Sequence, residues 1–140
     1  MSSRMSNPII IHDVGHASAA MAVAVELDID IPLVSAPGAV AYLGATVFRD
    51  IIAEAARENP QARYPAVLDC GDEPGLALGA MRHGIKAVRI SNGPEISDKL
   101  ADIATQRGVT VYQGEDPEID LGGMTDPAGA CRAWLRGDVS

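Results

Sequence analysis

Aromatic side chains are nearly absent: three tyrosines, one tryptophan and one phenylalanine make up 4% of the 140 residues. A core without rings must be built from Ala, Val, Ile and Leu, which favours close helix–sheet packing over a ring-lined pocket. Positive charge is also scarce, with 11 Lys and Arg against 19 Asp and Glu and a formal net charge of −8. That balance excludes a general nucleic-acid binder, which needs a basic stripe to neutralise phosphates. It leaves small anionic ligands open, because helix N-termini bind anions locally. The two cysteines, Cys70 and Cys131, lie far apart and match neither a metal-knuckle nor a redox-pair spacing. They read as reduced thiols of a cytoplasmic protein. Long apolar runs are missing as well. Ile9-Ile10-Ile11 is too short for a signal core and runs straight into His12-Asp13. Ala17 to Leu27 falls far below the ~20 residues that span a bilayer, so no membrane association is expected.

Nucleotide fingerprints are absent too. There is no G-x-x-x-x-G-K-[ST] and no G-x-G-x-x-G after the first apolar run. No internal repeat or low-complexity tract interrupts the chain.

What the chain does contain is a strict alternation. Its centre is Tyr64 to Ser91, where the apolar run Ala66-Val67-Leu68 breaks into the polar Asp69-Cys70-Gly71-Asp72-Glu73-Pro74. A helical pattern on Leu76, Ala80 and Met81 follows and stops at Gly84, and Ile85 to Ile90 reads as the next strand. Strand, polar loop, helix, glycine and strand make one βαβ unit. Upstream, Pro8 to Ile11 and Ile31 to Val34 read as strands, with a helix over Ala17 to Leu27 between them. The longest helix is predicted from Ala39 to Glu58, with Val40, Leu43, Val47, Ile51 and Ala55 on its inner face. Downstream, a helix carries Ile96, Leu100, Ile103 and Ala104, and Val109 to Tyr112 forms a fifth strand.

This pattern implies an α/β fold, a parallel five-stranded sheet flanked by helices, either half-barrel-like (part of a TIM barrel) or flavodoxin-like. The α/β domain covers residues 1–113. Residues 114–140 read as a C-terminal arm, with Gly114 to Thr125 a loop and a short helix capped by Asp126-Pro127 running to Trp134-Leu135. That helix would pack on the domain or on a partner subunit. Met1 to Asn7 reads as a frayed end. Open sheet edges without charged gatekeepers make a homodimer the expected assembly.

Chemically able residues fall in the loops after the strands, the edge where parallel α/β folds bind ligands. The first loop holds His12, Asp13 and His16; the second Ser35 and Gly38; the third Asp69, Cys70, Asp72 and Glu73; the fourth Ser91, Asn92 and Gly93. Asp72 and Asn92, with Ser91, have the plain alternative of helix N-capping, and the two glycines that of ordinary turn residues. Asp69 is harder to set aside, because a carboxylate at the end of a buried strand must be paired or used. It is expected beside His12 or Cys70. Asp69 and His12 are thus the candidate acid/base groups, with Cys70 as a candidate nucleophile near His12. Ser35, Gly38, Ser91 and Asn92 are the candidate binders of a small carbonyl or phosphorylated compound.

The order of motifs resembles the N-terminal half of the class II (zinc-dependent) fructose- and tagatose-bisphosphate aldolases. The residues that carry it are Ser35-Ala36-Pro37-Gly38-Ala39, then Tyr42-Leu43-Gly44 ahead of the long helix. Asp69-Cys70-Gly71 then stands where the family has Asp-His-Gly, with Ala80, Gly84, Ile85 and Val88 behind it. The resemblance spans about Ile9 to Tyr112. It implies sequential strand order, a proton-handling role for Asp69 and a metal role at Cys70, making His12, His16 and Cys70 the candidate zinc ligands. The later barrel strands, with the family's remaining zinc histidines and phosphate-binding loop, have no counterpart, so tight zinc binding is not expected. The resemblance implies an aldolase-like protein with a degenerate active edge, either binding a small metabolite or serving as a non-catalytic interaction or regulatory module.

Overall fold

A computed structural model describes residues 7–113 and 118–137. The expectation for Met1 to Ser6, and the 114–117 part of the loop expectation, lie outside the described residues. The elements run β1 (Ile9–Ile10), α1 (Val14–Leu27), β2 (Leu33–Val34), α2 (Ala39–Tyr42), α3 (Ala45–Glu58), β3 (Ala66–Gly71), α4 (Pro74–Arg82), β4 (Ala87–Ile90), α5 (Pro94–Arg107), β5 (Thr110–Gln113), β6 (Ile119–Asp120) and α6 (Pro127–Leu135).

The strands form one parallel sheet in the order β5-β4-β3-β2-β1-β6. The first five stand in sequence order, as in part of a barrel, and the flavodoxin-like order is not adopted. Among the described residues there are six strands rather than five. The added one comes from the stretch read as a loop, where Ile119 and Asp120 pair with Ile9 and Ile10. Two residues amid glycines and acids carry no alternation from which a strand could be read. By pairing there, β6 covers the edge of β1.

Side chains alternate across the sheet. Ile9, Ile11, Leu33, Leu68, Cys70, Val88, Ile90 and Val111 join the large core beneath the helices. Ile10, Val34, Val67 and Ala87, with Ala36 and Tyr112, form a second, smaller cluster on the other face. The sheet is therefore buried on both sides, which explains its unbroken apolar strands. It also curls. Arg89 of β4 reaches Glu118, just before β6, at 2.8 Å, although β4 and β6 are far apart in the strand order.

On three helices the buried face is shifted from the one expected, although Ala55, Ala80, Met81, Leu100 and Ala104 lie on it as read. The long helix breaks at Gly44, whose φ of 87° lies in the left-handed region. The register restarts there, so Phe48, Ile52 and Ala55 are buried while Val47 is 48% exposed. On α4 the contact face is Ala77, Ala80 and Met81 with Leu76 outside, and on α5 it is Ser97, Leu100 and Ala104 with Ile96 outside. In each case a smaller residue lets the helix lie close, and Ser97 can be buried because its hydroxyl donates to Asn92 O at 2.9 Å. Helix α1 begins earlier than predicted, at Val14, because Asp13 caps it by accepting the His16 N–H at 2.8 Å.

At the C-terminal end, Asp126 caps α6 as its sequence suggests, accepting the Gly129 N–H at 3.1 Å. The helix lies along α1 of the same chain, with Cys131 buried and Arg132 bridging both carboxylate oxygens of Glu26 at 2.7 and 3.1 Å. Trp134 donates its indole N–H to Asn7 O at 3.2 Å. Both cysteines are free. No helix among the described residues is long and apolar enough to cross a membrane.

Leu121, which is fully buried, ties the tail to the main core. Leu121→Ala is expected to cost about 2–5 kcal/mol in urea unfolding. A loss near zero would show that β6 and α6 are not integral to the fold.

Candidate functional site

All strands run the same way, so their C-terminal ends share one edge. There β3 is irregular, its register against β4 shifting between Asp69 and Gly71. Gly71, with φ 53°, absorbs the bulge and turns its N–H back onto Asp69 Oδ1 at 2.9 Å. Gly38 N–H donates to the same oxygen at 2.8 Å, and Arg89 Nε donates to Oδ2 at 2.5 Å. Ser35 Oγ accepts the Asp69 backbone N–H at 2.8 Å and donates to Ala36 O at 3.3 Å. Arg89 then binds Glu118 through its other end. Burial opposes the Arg89 charge, but the hydrogen bonds from Glu118 and Asp69 and their charges outweigh it and hold the guanidinium firmly protonated.

Asp69 is thus the centre of a buried network that joins β2, β3, β4 and the entry to β6. Its side chain turns to Arg89 and two backbone amides rather than to His12 or Cys70. A carboxylate accepting three donors, one of them cationic, is positioned as a structural tie. Ser35 and Gly38 are engaged in holding it.

Cys70 points the other way. It is fully buried in the core under the helices, and burial, helped by the Asp69 charge, pushes its thiol up to about 12. Cys131 is likewise pushed up by burial, to about 11. Neither supplies a thiolate near neutral pH, and a buried thiol is a poor nucleophile.

The two histidines do come together, in a different role. Their rings meet edge to face, with centroids 5.7 Å apart. His16 Nδ1 accepts the His12 backbone N–H at 3.1 Å. His12 Nε2 lies 2.6 Å from Asp120 Oδ1, with the side chains 37% and 52% exposed. Burial resists ionisation of Asp120, but the Gly122 N–H, the His12 hydrogen bond and the neighbouring histidine charges outweigh it, and the carboxyl sits below its ordinary range. With Nε2 bound to Asp120, Nδ1 is the ring nitrogen that the carboxylate leaves free of its own contact. Gly122 is needed for this contact: a Cβ there would meet His12 Nε2 at 3.0 Å and Asp120 Oδ1 at 3.1 Å.

Sequence reasoning missed Asp120, Gly122, Arg89 and Glu118. Asp120 and His12 stand 108 positions apart, and no local spacing could join them.

The candidate zinc ligands do not fit a metal. Cys70 is buried in the core beneath the helices, one ring nitrogen of each histidine is engaged by a protein partner, and no group of three or more His, Cys, Asp or Glu among the described residues could hold an ion.

Ser91 and Asn92 line a cavity of about 420 Å³ at the end of β4, with Ser97, Asp98 and Gln113. Asn92 Oδ1 is buried without a hydrogen-bond partner, the only such side-chain atom among the described residues. The N-cap of α4 is Glu73 rather than Asp72, and that of α5 is Gly93 rather than Asn92; neither cap makes a side-chain bond.

These features define an α/β half-barrel with a polar site at the carboxyl edge of a curled parallel sheet. The fold is similar to the crystal structure of a "putative fructose-1,6-biphosphate aldolase" from Coccidioides immitis, with a TM-score of 0.59 over 78% of this chain at 18% identity. The chain spans 46% of that protein's length. At that identity the likeness is one of fold, and the scaffold is aldolase-like. No family model matches the chain, and no curated protein matches it.

Arg89→Met would leave Glu118 without its cation and Asp69 with only its two amides. The expected loss is about 3–5 kcal/mol in chemical unfolding. A variant as stable as the parent would remove the network from its place at the centre of the fold.

Proposed function

We propose that this chain binds a small carbonyl or phosphorylated metabolite at the carboxyl edge of its sheet, and that His12 moves a proton there. One observation carries the reading: Asp120 lies 2.6 Å from His12 Nε2 and orients the imidazole, on the edge where parallel α/β folds do their chemistry. In this reading His12 takes the acid/base role, Asp120 positions it, and Asp69 serves the architecture. Ser91 and Asn92 bind the ligand. The orphaned acceptor of Asn92 suits a hydroxyl donor, and the uncapped first turn of α5 suits an anionic group.

A second reading has its own support. The residue in the proton-handling place of the motif, Asp69, is immobilised by Arg89 and two amides. That favours a binding or regulatory module which kept the aldolase-like scaffold without the chemistry.

Deuterium exchange at the carbon next to the carbonyl of dihydroxyacetone phosphate separates the two. The first reading expects exchange above the buffer rate, reduced about 100-fold or more in His12→Gln. Binding seen by NMR without exchange would favour the module. No binding of either carbonyl or phosphorylated compounds would end both ligand readings.

Self-association as a homodimer belongs to the same proposal. The open edges are now β5 and β6, and the β5 run Thr110–Gln113 carries no charge. Light scattering is expected to give about twice the 14.6 kDa of one chain. A mass of one chain at micromolar concentration would remove the dimer.

A further inference from the structure

A second cavity lies at the other end of the sheet. It has a volume of about 550 Å³, and Ala66, Ala87 and Thr110, the first residues of β3, β4 and β5, line it. Its walls are Phe48 and Ile52 of α3, Tyr64, and Ile85. Two cations, Arg49 and Lys86, are its only charged lining residues.

Charge adds to this geometry. In a protein of net charge −8, several cations of the described residues sit against carboxylates: Arg57 on Glu54, Arg63 on Asp28 and Asp30, Arg89 on Asp69 and Glu118, and Arg132 on Glu26. Lys86 has no carboxylate of the described residues within 4.0 Å, and Arg49 has only Asp50 at a loose 3.6 Å. Arg49 is nevertheless held in place. Its Nη1 donates to His83 O at 2.9 Å, and its Cδ lies beside Gly84. A guanidinium fixed by one of its five N–H groups keeps the others for a ligand. Burial also raises the Tyr64 hydroxyl above its ordinary range, so at neutral pH it remains a hydrogen-bond donor.

We infer that this amino-edge cavity binds a small organic anion with an apolar body, most simply a medium-chain or aryl monocarboxylate. The apolar body fills the space between Phe48, Ile52 and Ile85, and the carboxylate meets Arg49 and Lys86. The volume falls within the range of roughly 300–1,000 Å³ typical of small-molecule sites. The walls exclude a purely polar anion such as inorganic phosphate, which would leave them wet. The cation pair sets the preference for a carboxylate over an alcohol of equal length, since hydrogen bonds to charged groups contribute more than neutral ones. The site is separate from the carboxyl-edge reading and stands or falls without it.

Octanoate and 1-octanol are the probes, followed by calorimetry at pH 7 and by amide chemical shifts. Octanoate is expected to bind saturably at one site per chain, moving the amides of Phe48, Tyr64 and Lys86. The double variant Arg49→Gln, Lys86→Gln should weaken octanoate about ten-fold or more and leave 1-octanol unchanged. Ala66→Leu, which narrows the cavity floor, should weaken both. Circular dichroism checks that each variant is folded; should Ala66→Leu not fold, the double variant at two exposed positions still decides. Absence of saturable octanoate binding overturns the inference, as does octanoate affinity unchanged in the double variant.

Discussion

The largely buried triad of Asp69, Arg89 and Glu118 is the interaction on which the architecture rests. Its desolvation cost is large, and mutual attraction offsets it with the help of the backbone amides that bind Asp69. Gly38 and Gly71 complete Asp69, and Glu118 completes Arg89. The result ties the third and fourth strands to the entry of the sixth, across the inner face of the sheet. An apolar cluster of Ile10, Val34, Val67 and Ala87 could fill that face but would not choose which strands meet over it. A charged network with defined geometry does choose, and here it draws the C-terminal tail onto β1.

That closure creates the site. Asp120 reaches His12 because β6 pairs in register with β1, placing Asp120 opposite Ile10. The network and the dyad are therefore two parts of one device, one buried and structural, the other half-exposed and chemically available. The division explains how a strand-end aspartate can look catalytic in sequence and act as a tie in space. Both need the same residue type at the same position, and only the partners tell them apart.

The two ends of the sheet carry different chemistry. The carboxyl edge gathers hydroxyls, amides, histidines and carboxylates, whereas the amino edge holds an apolar cavity flanked by Arg49 and Lys86. Helix dipoles contribute to this polarity, since α3, α4 and α5 each carry an arginine in the last turn, at the amino edge.

Much of the fold was legible in the residues alone. Strand–helix alternation, the glycine stops at Gly84 and Gly108, and the Asp126-Pro127 cap are local signals, and local steric and hydrogen-bonding rules suffice to read them. Helix faces were read less well, because Gly44 resets the register and because small residues such as Ala77 and Ser97 make the contacts in place of larger neighbours. The motif order from Ser35 to Val88 pointed to an aldolase-like scaffold, and the sequential strand order agrees. The sequence by itself determined the α/β class, the edge on which polar loops gather and the presence of His12 in one of them. Only the tertiary structure decided that Cys70 turns inward, that Asp69 belongs to Arg89, and that Asp120 belongs to His12. Those outcomes depend on pleat, bulge and curl, which bring together residues far apart in the chain and which no neighbouring residue encodes.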